Sequence, residues 1–88
     1  MNRFVIVLPS VHDVMHAEEH LEGSGLDFEV IPKPTRISTD CGMVIETGSE
    51  ALNQVTQLID QNGLEVESLW RKTGPRQYEK LDEASIPN

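Results

Sequence analysis

The chain has 88 residues, with 15 Asp and Glu against 7 Lys and Arg, for a formal net charge of −8. That length supports one small domain, and the acidic balance disfavours non-specific binding to nucleic acid or to an anionic membrane. A single cysteine, Cys41, excludes an intrachain disulfide or a multi-cysteine zinc site, and 5% aromatic residues imply a small aliphatic core.

At the N-terminus the apolar run Phe4–Leu8 is only five residues long. A signal-peptide core needs about 7–15 such residues and a membrane span about 20. The expectation is a cytoplasmic protein with no membrane association and a reduced thiol.

Residues 3–9 are β-branched and apolar on both faces, as in a central strand, and stop at Pro9. Ser10 follows as a helix N-cap with Asp13 three residues on. A helix over 11–22 then carries Val14, Ala17 and Leu21 on one face and ends at Gly23-Ser24-Gly25. Residues 27–32 alternate as a strand. The stretch 32–41 has two prolines and small polar residues and reads as an extended loop. A third strand is predicted over 41–46, then a second helix with Ser49 as its cap and Leu52, Val55 and Ile59 as its buried stripe. Asn62-Gly63 ends that helix in the left-handed manner, and a last strand covers 65–71.

The order β-α-β-β-α-β predicts an α+β, ferredoxin-like two-layer sandwich over residues 1–73. Residues 74–88 contain two prolines and no usable period, and are expected to form a flexible tail. In a sheet of order 4-1-3-2 the third strand runs antiparallel to the first. Cys41, the 32–40 loop and the Ser10–Asp13 corner would then share one end of the sheet, with Arg3, Arg71 and Lys72 at the other.

That corner holds the candidate chemistry. A thiol becomes a useful nucleophile when its pKa of about 8.5 is lowered by a helix N-terminus, a cation or a histidine. The first helix start, Arg36 and His12 could supply these to Cys41, while Asp40 would oppose them. Gly42 leaves the backbone open to a substrate or partner. A lone cysteine at a strand start also fits a small buried hydrophobe.

Other features point less sharply to a function. His12, His16 and His20 recur at i, i+4 and i+8, but at 100° per residue they span about 0–80° while Val14, Ala17 and Leu21 cluster around 140–200°. The histidines therefore face solvent, and no dedicated metal site is expected. The basic residues are scattered and no aromatic pair marks a central strand, against RNA binding through the sheet. Trp70 reads as packing or an oligomer contact, and Glu18, Glu19 and Glu22 as solvated helix surface.

The stretches "PSVHD", "AEEHLEGSG", "VIPKPTRISTDCGMVI" and "NGLEVESLW" carry a resemblance across residues 3–72. The chain resembles a small bacterial family of selenium/sulfur carrier-like proteins. The specific part is the loop Pro32, Pro34, Arg36, Ile37, Ser38, Thr39, Asp40, Cys41 and Gly42; His12-Asp13 and Ala17-Glu18 add to it. Better-known small sulfur carriers place a Cys-Pro-x-Pro segment at a helix start, whereas Pro32-Lys33-Pro34 here precedes the cysteine.

The resemblance implies that Cys41 holds sulfur or selenium as a persulfide or selenopersulfide. It would take the atom from a cysteine desulfurase-like donor and pass it to an acceptor protein, as a carrier more than a catalyst. Arg36 would stabilise the charge, His12 would assist proton movement, and Ser38, Thr39 and Gly42 would meet the substrate or partner. No cofactor is implied. The competing reading is a protein- or ligand-binding regulatory module with a structural cysteine. A third is a redox sensor forming a Cys41–Cys41 bridge between chains. An exposed edge strand is compatible with a homodimer.

Overall fold

The computed structural model describes residues 3–35, 37 and 42–81. In chain order the elements are β1 (Arg3–Val7), α1 (Val11–Leu21), β2 (Glu29–Pro32), β3 (Met43–Gly48), α2 (Leu52–Gln61), β4 (Ser68–Gly74) and β5 (Gln77–Leu81). The strands form one sheet of order β2-β3-β1-β4-β5, every adjacent pair antiparallel. The first four keep the neighbours expected of them. The fifth makes this a larger sheet than the simple four-stranded ferredoxin-like one.

Both helices cover the same side of the sheet. Phe4, Ile6 and Leu8 from the first strand region, Ile45 from β3 and Leu69 from β4 meet Val14, Ala17 and Leu21 of α1 and Leu52, Val55 and Ile59 of α2. These are the two helical stripes anticipated from spacing, and each residue is buried. The opposite side has its own smaller core. Val5, Val7 and Val44 are buried there, flanked by the half-buried Ile31, Ile37, Trp70 and Tyr78. β1 is thus apolar on both faces because both are covered.

The start of α1 follows its sequence signal. Ser10 has an extended backbone and its Oγ accepts a hydrogen bond from the Asp13 N–H at 3.1 Å. This satisfies one of the donors left free at a helix start. Ser10→Ala should lower stability by about 1 kcal/mol, read as a lower urea midpoint at unchanged slope.

α2 begins differently from the expectation. Ser49 is not its cap, since β3 runs on to Gly48, which pairs with Arg3. Residues 49–50 then turn, the Ala51 N–H closing onto the Gly48 carbonyl at 3.2 Å, and Ala51 occupies the cap position with no side-chain bond. The helix ends as anticipated, with Gly63 at φ 75°.

The largest correction concerns the tail. Residues 77–81, placed by the sequence in the tail, form a strand, β5, paired with β4 through Leu69↔Leu81, Trp70↔Lys80, Arg71↔Glu79 and Lys72↔Tyr78. Pro75 and Arg76 make the intervening turn, with Arg76 at φ 62°. An edge strand needs few apolar residues: Tyr78 packs on one side of the sheet and Leu81 on the other. Residues 82–88 of the expected tail lie outside the described residues. No helix among the described residues is long and apolar enough to cross a membrane.

Candidate functional site

Antiparallel pairing of β1 with β3 matches Ile6 to Ile45 and Arg3 to Gly48. The end of β1 therefore meets the beginning of β3. Pairing of β2 with β3 brings Pro32 opposite Met43, and the ladder continues one step further, the Lys33 N–H donating to the Gly42 carbonyl at 2.8 Å. Leu8, Pro9, Ser10, Val11, Lys33, Gly42 and Met43 together line a cavity of about 400 Å³. This is the corner that strand order indicated.

The half-buried Lys33 side chain lies along the open backbone of Gly42. A Cβ built at that glycine would sit 3.6 Å from Lys33 Cε and 3.8 Å from Nζ. The ammonium group thus stands beside the residue that follows Cys41 in the chain. Sequence reading counted Lys33 among the scattered basic residues. The signal that could have found it was register, since an antiparallel β2–β3 pair puts the residue after Pro32 opposite the one before Met43.

Of the other candidate residues, His12 is exposed on the first turn of α1 and is not among those lining this cavity. Arg36, Ser38, Thr39, Asp40 and Cys41 lie outside the described residues. Ile37 is described: its N–H donates to the Pro34 carbonyl at 3.0 Å, and its side chain packs on Val5, Val7 and Val44. Pro34 and Thr35 line a second cavity with Arg76 and Tyr78 of the β4–β5 hairpin. Ile37, of the described residues between β2 and β3, is therefore packed on the helix-free side of the sheet.

The opposite end of the sheet gathers Arg3, Arg71 and Lys72 through the pairings Arg3↔Lys72 and Phe4↔Arg71. A cavity of about 470 Å³ lies there, lined by Arg3, Asp27, Gly48 and Gln54 among others. Although larger, it offers no free cation from Arg3. That guanidinium is bonded to Glu46 at 2.9 Å and Asp27 at 2.6 Å. The Glu46 bond raises its pKa, partial burial opposes, and Asp27 adds to the rise. The Lys33–Gly42 corner is the better place for an anionic group.

Among the described residues no group of three or more His, Cys, Asp and Glu side chains converges as a metal cage would. The three histidines of α1 are exposed.

A family model described as "Putative Se/S carrier protein-like" matches residues 3–71. No curated protein and no solved structure matches the chain.

Proposed function

Because the chain belongs to the Se/S carrier protein-like family, we propose that it carries a sulfur or selenium atom on Cys41, as a persulfide or selenopersulfide. In the sulfur case the Cys41 thiolate attacks the outer sulfur of a donor enzyme's persulfide. The new S–S bond forms as the donor's S–S bond breaks, and the donor leaves as a thiolate. Sulfane sulfur passes without an external oxidant or reductant. The acceptor protein removes the atom by the same exchange.

One observation supports this reading beyond the family match: Lys33 Nζ lies 3.8 Å from the position a Cβ on Gly42 would take, and Gly42 is peptide-bonded to Cys41. A cation there favours the thiolate and offers a charge-assisted partner to the terminal anionic chalcogen. Arg36 supplies a second positive charge in this reading, His12 a route for the proton, and Ser38, Thr39 and Gly42 the contact surface for donor or acceptor. The fold is read as a ferredoxin-like βαββαβ sheet extended by an edge strand. A donor of the cysteine desulfurase class and a reduced, cytoplasmic setting fit a carrier that keeps one unpaired thiol.

The test is the alkylation rate of Cys41 against pH in the native protein, read by mass spectrometry, followed by loading from a desulfurase. The expected apparent pKa is below about 8.5, and loading should add one sulfur atom that Cys41→Ser removes completely. Lys33→Met should raise the apparent thiol pKa and slow loading, whereas Lys33→Arg should keep both near wild type. If Cys41 labels only after unfolding, the carrier reading fails and a partner-binding module with a structural cysteine replaces it.

A further inference from the structure

Two members of the histidine stripe of α1, His16 and His20, have no part in the proposed thiol chemistry, yet they are paired closely. His16 and His20 have their Nε2 atoms 3.2 Å apart and their ring centroids 4.9 Å apart, both side chains in solvent. The i, i+4 spacing stacks them on one face of the helix. At that separation one Nε2–H can donate to the other ring's lone pair, but two protonated nitrogens would oppose each other.

The same separation suits a shared cation. With metal–nitrogen bonds of about 2.0–2.1 Å, a nitrogen pair at this distance subtends roughly 100° at the metal. That lies between the right angle of square-planar or octahedral centres and the tetrahedral angle.

The electrostatic surroundings act in the same direction. Residues 11–22 carry Asp13, Glu18, Glu19 and Glu22 and no Lys or Arg. His20 lies in the last turn of α1, where the helix dipole presents partial negative charge.

We propose that His16 and His20 form a solvent-facing two-imidazole site for a late first-row divalent cation of the Ni²⁺, Cu²⁺ or Zn²⁺ class, with water in the remaining coordination positions. Imidazole donors select these ions over Mg²⁺ or Ca²⁺, which need oxygen ligands. On binding, the proton shared between the two Nε2 atoms moves to an Nδ1 or to solvent, and both lone pairs face the metal. The site is independent of Cys41 and of the sulfur or selenium reading.

The experiment is an isothermal titration of the full chain with Ni²⁺ at neutral pH. Wild type is compared with His16→Ala, His20→Ala, His12→Ala and Cys41→Ser, each checked for helix content by circular dichroism. Ala is a good helix former and these positions are exposed, so the fold should be kept. One ion per chain is expected. The dissociation constant should rise at least about tenfold in each of the first two variants, equivalent to about 1.4 kcal/mol, and stay unchanged in the last two.

A parallel titration with Zn²⁺ followed by proton NMR should move the imidazole signals of His16 and His20 together and leave that of His12 in place. Three results overturn the proposal: no saturable binding to wild type, wild-type affinity retained in His16→Ala or in His20→Ala, or loss of binding in Cys41→Ser with the histidines intact.

Discussion

Ile6→Ala should destabilise the protein by about 2–5 kcal/mol, a large share of the roughly 5–15 kcal/mol that holds a typical domain folded. Ile6 is fully buried at the centre of the sheet, its cross-strand partners Ile45 and Leu69 on either side and the helices above. Removing three side-chain carbons there leaves a space whose sides are fixed by two hydrogen-bonded ladders. Strands held at their ladder spacing cannot close inward, so the void persists and the loss lies toward the upper part of that range. Urea unfolding should show a lower midpoint with an unchanged slope. A loss below about 1 kcal/mol would mean that the helices settle into the space instead.

Ending the chain at Gly74 should cost about 2–4 kcal/mol, estimated from the two half-buried side chains lost and the apolar surface they uncover. β5 supplies Tyr78 to the small core around Val5, Val7 and Val44, and Leu81 to the helix-side core. It also covers one side of β4, whose Trp70 lies opposite Lys80. Truncation turns β4 into an edge and thins both cores together. A tail that touched nothing would leave the unfolding midpoint unmoved, so this measurement separates the observed strand from the expected mobile segment.

The reason that strand was hidden is visible in its residues. Gln77–Leu81 has two apolar side chains, Tyr78 and Leu81, and they serve opposite faces. A period-2 search for one buried face finds neither. The Gly74-Pro75-Arg76 segment reads as a break, yet it is a short turn, with Arg76 at the positive φ where glycine or asparagine is usual. The helices were legible because Val14, Ala17 and Leu21, and Leu52, Val55 and Ile59, keep strict helical spacing. β1 was legible because its apolar run has no polar face.

The candidate site was legible as a place more than as a set of groups. Strand order alone brought the β3 start to the α1 corner, and Gly42 and Met43 lie there beside Ser10 and Val11. Lys33 was overlooked because its significance comes from a cross-strand neighbour, Gly42, nine positions away in the chain. His12 follows Val11 directly, but adjacency in sequence does not bring its exposed side chain into the cavity lining.

The two outer strands bear on how the protein behaves when crowded. β2 is only four residues long and ends in Pro32, which has no N–H to offer a foreign strand, and it begins with the charged Glu29. β5 presents Gln77, Glu79 and Lys80, all exposed. Neither border is the long, flat, apolar ribbon on which another chain could add its own backbone. With a net charge of −8, neighbouring copies also repel one another. For the proposed carrier, which would hand its atom to other proteins, such borders work against edge-to-edge pairing of its own copies.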